Sequence, residues 1–150
     1  MTNKQKRIQK VIVHREKELD QRVVELGKAR VEAERVESAA LAEQKKLELA
    51  TAERDKMADR TMSAREWRDA NEWMASRELS HLAVTRELEK VTAQVEAQKG
   101  HVLVARRALK GVEMVEERLK TAELRAEERA DQRLQDELAR SSQKRAKGKP

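Results

Sequence analysis

The sequence predicts an all-α fold: a long antiparallel two-helix coiled-coil hairpin in which the C-terminal helix is the longer. Three observations predict it. The chain has 150 residues, 41% of them charged and 38% hydrophobic, with two Trp and no Phe, Tyr or Cys. Its apolar set is mostly Ala, Val and Leu, mixed with Glu, Lys, Arg and Gln, the mixture of long helices and coiled coils rather than of an aromatic-rich globular core. The apolar positions of the second half repeat every seven residues. Between the two halves lies a short break, "DRTMSAREW" at residues 59–67, built without glycine or proline.

The first helix is expected from about residue 4 to 59. It carries a stripe of Ile8, Ile12, Leu19, Val23, Leu26, Ala33, Ala40 and Leu47, interrupted by Arg30, Glu37 and Gln44. Within Lys4–Met57 only Gly27 opposes helix, at a cost of about 1 kcal/mol relative to Ala. The turn is expected at about 60–63. Ser63-Ala64-Arg65-Glu66 reads as a capping box, with the Ser63 hydroxyl accepting from the Glu66 N–H and the Glu66 carboxylate reaching back to the Ser63 N–H. One continuous helix is the alternative reading of the same residues.

The second helix is expected over about 64–140. One seam series is Trp67, Met74, His81, Leu88, Val95, Val102, Leu109 and Glu116. The other is Ala70, Arg77, Val84, Val91, Gln98, Ala105, Val112 and Leu119, and twelve of these sixteen positions are apolar. A strict seven-residue period asks for a partner helix and a left-handed supercoil. A short turn makes that partner the first helix, running antiparallel. In this register Leu19 meets Val102 and Ala105, and Ile12 meets Leu109 and Val112. The longer second arm overhangs the first by about 30 Å at 1.5 Å per residue. There the heptad loosens, and Leu134 and Leu138 have nothing in the hairpin to cover them.

Residues 141–150 are expected as a flexible basic tail. From Arg140 to the end there are five basic residues (Arg140, Lys144, Arg145, Lys147, Lys149) and no acid. Lys4, Lys6, Arg7 and Lys10 begin the other arm, so the hairpin is expected to gather both clusters at one pole. The net charge of +6 permits an acidic partner.

Several function classes fall away. No apolar run approaches the roughly 20 residues of a membrane span, and "VIV" is too short for the core of a signal peptide. A cytoplasmic protein is expected. The chain contains no helical i, i+4 histidine pair, phosphate loop or Ser–His–Asp arrangement, and a two-helix rod has no pocket that excludes water. Hence no enzyme, no metal and no cofactor are expected. Nucleic acid is a weaker alternative, since acids interleave the bases and no aromatic platform exists. A generic coiled-coil scaffold is the other. Trp67 is expected in the seam. Trp73 flanks it and is a candidate partner anchor.

The stretches "LATAERDKM" closing the first arm, "SAREW" opening the second, and "EERLKTAELRAEERADQRLQDELARSSQKR" resemble the FliJ/YscO family of coiled-coil stalk proteins of flagellar and virulence type III secretion. The last run resembles the family's C-terminal pattern at Arg129, Gln132, Asp136, Glu137, Leu138 and Ala139, with a spacing one residue looser. The resemblance implies a monomeric hairpin whose paired termini insert into the hexameric secretion ATPase, with further contacts to an export gate protein and export chaperones, at the base of a membrane secretion apparatus. At the ATPase end the candidates are Lys6, Arg7, Lys10, Leu134, Leu138, Arg140, Lys144 and Arg145. Near the turn the candidate for gate or chaperone is Trp73. The aromatic residues often seen along the family's arms are nearly absent here.

Overall fold

A computed structural model describes residues 2–148 and shows two helices and, among these residues, no strand. Helix α1 spans Asn3–Ala58 and helix α2 spans Ala64–Lys147. They form the expected helical hairpin. The chain divides into two compact units. One is Leu19–Ala105, with the turn. The other joins the residues up to Glu18 to those from Arg106 onward.

In the turn-side unit, α1 ends with 3₁₀-like hydrogen bonds, Asp59 N–H to the Lys56 carbonyl at 3.3 Å and Arg60 N–H to the Met57 carbonyl at 3.0 Å. α2 then starts on Ser63, whose hydroxyl accepts from the Glu66 N–H at 3.2 Å while its carbonyl accepts from the Trp67 N–H at 3.1 Å. This is the N-cap half of the predicted box. The reciprocal bond from Ser63 N–H to the Glu66 carboxylate is not formed. One cap suffices because Glu66 also places an acid in the first turn, where the helix dipole favours it.

The core of this unit is a narrow seam. Leu26, Val36 and Ala50 of α1 and Met74, Val91 and Val102 of α2 are buried, with Val36 at 1% exposure and Ala50 at 0%. The α2 residues follow the predicted heptad from Ala70 through Ala105. The α1 side differs from expectation in one of its two series. Leu19, Leu26, Ala33, Ala40 and Leu47 face the seam as expected. The companion series is Ala29, Val36, Glu43 and Ala50, one residue earlier than the Val23–Arg30–Glu37–Gln44 series expected from the pattern, and those four residues are exposed. A salt bridge of 3.7 Å between Arg35 and Glu87 joins the arms beside Val36.

Trp67 is a second correction. It is 42% exposed, the same as Met57. The seam closes only from Ala70 onward, because five residues are needed to reverse direction and the helices have not converged at Trp67.

In the terminal unit the pairing is more polar. Ile12 is its one buried side chain among the described residues, with Ile8, Leu109, Val112 and Leu119 half-buried. Gln9 donates to Glu116 at 2.6 Å, and Gln5 donates to Glu123. Thr2 also reaches Glu123. Glu116 accepts from Lys120 at 2.8 Å as well, and that hydrogen bond raises the Lys120 ammonium above its ordinary pKa. Two carboxylates at seam positions are thus made tolerable by amide and ammonium donors.

α2 runs on to Lys147, past the boundary expected at residue 140. Ser141-Ser142 does not stop it. No Gly or Pro occurs between Gly111 and Gly148, and Lys144, Arg145 and Lys147 complement the negative end of the dipole. α2 ends just before Gly148, whose N–H still donates to the Lys144 carbonyl at 3.0 Å with the i→i−4 spacing of the helix. Lys149 of the predicted tail lies outside the described residues.

Candidate partner-binding surfaces

The terminal unit holds all of the residues expected at the ATPase end. Lys6, Arg7 and Lys10 are exposed on α1. Pairing of the arms ends at Glu123, the last α2 residue with a partner on α1. From Leu124 to Lys147, α2 has no companion, and every residue to Gly148 is exposed. This overhang is about 35 Å long at 1.5 Å per residue. Leu124, Leu134 and Leu138 stand on it at 58%, 57% and 61% exposure. Leu124, Glu127, Asp131, Leu134 and Leu138 follow one another at steps of three and four, so they share one face.

The two basic clusters are not brought together. Lys6, Arg7 and Lys10 lie level with α2 residues near 116–123, since Gln5 and Gln9 bond there. Arg140, Lys144 and Arg145 lie further along, beginning about 25 Å beyond Glu123. The expected single basic pole is instead a basic collar on the paired stem and a basic tip on the lone helix. The unequal arm lengths produce this, because antiparallel pairing aligns residues from the turn outward.

A groove of about 440 Å³ runs beside the stem, lined by Arg7, Ile8, Val11, Arg107, Ala108, Gly111, Val112 and Val115. Sequence reasoning missed it. Val11 and Val115 fall outside the heptad seam and read as ordinary exposed residues. The signal lay in Gly111, where an added Cβ would meet nothing within 4 Å, so the glycine leaves open space at the surface.

In the turn-side unit Trp73 is 42% exposed, with the Arg77 guanidinium 5.8 Å from its ring centroid, in range for a cation–π contact. It borders a cleft of about 450 Å³ that also takes in Ala50, Met57, Met62 and Ala70, rimmed by Glu53, Arg54, Arg60, Glu66 and Asp69. This cleft is the space left where the helices diverge toward the turn. Trp73 thus contributes a ring to a recess floored by flexible methionines rather than packing in the seam.

Other titratable groups make local pairs along exposed faces. Arg15 holds the Glu18 carboxyl below its usual range by hydrogen bonding at 3.0 Å, helped by His14 at 3.0 Å. Arg35 does the same for Glu32, and is itself raised by it. Among the described residues no group of His, Asp and Glu is arranged to hold a metal ion, and no helix is long and apolar enough to cross a membrane.

The family profile described as "Flagellar FliJ protein" matches residues 4–148, nearly the whole chain. The chain belongs to the FliJ family. Membership makes it a flagellar export-related protein, from a family of non-enzymatic export components. Characterised proteins and solved structures give no significant match.

Proposed function

We propose that this FliJ-family protein serves as the central stalk of a flagellar export ATPase on the cytoplasmic side of the export apparatus. In this reading the lone end of α2 enters the hexameric ring, and the turn side reaches the export gate protein or the chaperones it escorts. The observation that carries the proposal is the overhang: a helix of two dozen residues with three exposed leucines and a basic tip, unpaired in an otherwise paired hairpin. A lone helix of this kind gains most by entering a cavity that surrounds it. Each fully covered Leu contributes about 1.5–3 kcal/mol. Lys144, Arg145 and Lys147 speed encounter with an acidic mouth, an effect screened beyond about 8 Å at physiological salt.

The test is ATP hydrolysis and binding kinetics with the cognate ATPase. Truncation after Glu123 removes the overhang and leaves every cross-arm hydrogen bond in place. It should abolish stimulation of hydrolysis. Leu134→Ala with Leu138→Ala should mainly speed dissociation, and neutralising Lys144, Arg145 and Lys147 should mainly slow association and flatten its salt dependence. An unchanged ATPase response to the truncated protein returns the chain to a scaffold role. For the turn side, Trp73→Ala should weaken binding to the gate protein or chaperone while the melting temperature holds.

A further inference from the structure

The terminal part of α2 sorts its charges by face. At about 100° per residue, Arg107, Arg118, Arg125, Arg129, Arg133 and Arg140 all fall within about 40° of one line along the helix, which also passes through Gly111 and continues to Lys147. From Arg107 to Arg140 the line is about 50 Å long at 1.5 Å per residue. Every arginine on it is exposed, and none makes an ion pair among the described residues. Asp136 is the single acid on it, and it accepts from Gln132 at 3.5 Å. Glu113, Glu117, Glu127 and Asp131 are turned away by more than about 100°, on the side of Leu124, Leu134 and Leu138. In the sequence these acids and bases interleave, whereas on the helix they separate.

The row is one residue wide and made of guanidiniums. Arg118, Arg125, Arg129, Arg133 and Arg140 follow one another at steps of seven, four, four and seven residues. Carboxylates at the same steps on another helix keep to one line in the same way. Each then meets a guanidinium, whose fork takes a carboxylate through two parallel N–H···O bonds. The steps read the same in both directions, so either orientation of the partner fits. Gly111, Ala122 and Ala126 stand between the arginines and let a second helix come close, and a Cβ at Gly111 would meet nothing within 4 Å. Duplex nucleic acid fits less well, because a groove sets phosphates on both sides of a helix, and Glu128 and Glu137 flank this row. A bilayer draws in large apolar side chains together with basic ones, and here the leucines face the other way. We propose that the arginine row is a docking surface for an acidic helix of a partner protein. The row runs back past Glu123 onto the paired stem, and its partner leaves Leu134 and Leu138 uncovered. The inference therefore does not rest on the ring-entry reading.

The test uses the full-length chain and two labelled helical peptides, read by fluorescence anisotropy in about 50 mM salt, where such contacts are less screened than at physiological salt. One peptide carries Glu at the steps of the arginine row and Lys on its far side, so its net charge is near zero. The other has the same composition with Glu spread around the helix. The chain should bind the first at least about tenfold more tightly than the second. Arg125→Gln with Arg129→Gln and Arg133→Gln removes three forks from exposed sites and keeps helix propensity. It should raise the Kd for the first peptide about tenfold or more. Lys at the same three positions keeps the charge and loses the fork, and should raise it about threefold or more. Leu134→Ala with Leu138→Ala should leave it unchanged, which separates this surface from the one proposed for ring entry. Equal binding of the two peptides, binding of neither, or full affinity in the Lys variant overturns the proposal. So does tighter binding of a DNA duplex, or of phosphatidylcholine–phosphatidylglycerol vesicles, through the same arginines. A self-associated parent chain that the Gln variant dissolves into monomers overturns it as well, since the acidic helix would then be this chain's own.

Discussion

The turn-side seam and the overhang are made from the same materials and have opposite fates. Both are helix, both mix Leu, Ala, Glu and Arg, and both present apolar residues at steps of three and four. In the seam Leu26 is 8% exposed and Met74 4%, whereas on the overhang Leu134 is 57% and Leu138 61%. The difference is the neighbour. A helix this long can persist without a companion once nucleated and end-capped, but it buries nothing by itself. Its stability comes from local propensity, while that of the paired region comes from a seam one or two side chains wide. Substitutions should therefore register in one region and vanish in the other.

The sharpest way to break the comparison is to put a charge in each place. Val36→Asp should destabilise the hairpin by about 3 kcal/mol or more, since the carboxylate has no partner in a dry seam. Leu134→Asp should shift stability by less than about 0.5 kcal/mol. Urea unfolding followed by helical circular dichroism measures both, and equal effects would mean that the overhang is covered in solution. Truncating side chains gives a smaller contrast. Met74→Ala should cost about 2–4 kcal/mol, whereas Leu124→Ala should stay within about 0.5 kcal/mol in dilute protein.

Glycine replacement reverses the sign. Gly27 and Gly100 sit inside the helices with open space at their Cβ positions and no positive φ. Gly27→Ala and Gly100→Ala should each stabilise by about 0.5–1 kcal/mol, read as a rise in the urea midpoint. The smallest effect is that of pH. Glu18 and Glu32 have carboxyl pKa values lowered in the folded state by Arg15 and Arg35. Their contribution is present above the unfolded carboxyl pKa and is lost as pH falls through the depressed folded value. Both carboxylates are well reached by solvent, so acid titration of Glu18→Gln and Glu32→Gln should differ from the parent only in the acid limb, and only slightly.

How much of this the sequence revealed depended on how strongly each feature was patterned. The α2 seam was legible from Ala70 onward because Val and Leu fill most of its sites. The α1 seam was legible at Ile12, Leu19, Leu26 and Leu47. Its companion series hid because Ala29, Glu43 and Ala50 dilute Val36, and isolated Val23 on the wrong face drew the pattern one residue away. The turn was legible through Ser63. The end of α2 was not, because the serines at 141 and 142 resemble a break and yet cost a helix little. At the surfaces, the exposure of Leu134 and Leu138 followed from the arm lengths. The groove at Gly111 did not, since it depends on how two faces meet outside the heptad.

The seam also carries atoms that it does not satisfy. Arg15 Nε, Glu43 Oε2, His81 Nδ1 and Gln98 Oε1 are buried and make no hydrogen bond. In the register set by Arg35 and Glu87, Glu43 and His81 fall in one layer, with Val36 facing the region of Leu88 on one side and Ala50 that of Met74 on the other. Sliding one arm by a heptad, about 10 Å, would drive Glu43 against Met74 or Leu88, and His81 against Val36 or Ala50. Every such offset splits the polar layer and sets each group against hydrocarbon instead of against the other polar side chain. A featureless Val/Ala seam would have had no such preference. The polar layer thus favours one register of the two arms, like the single polar core residue that indexes a coiled coil.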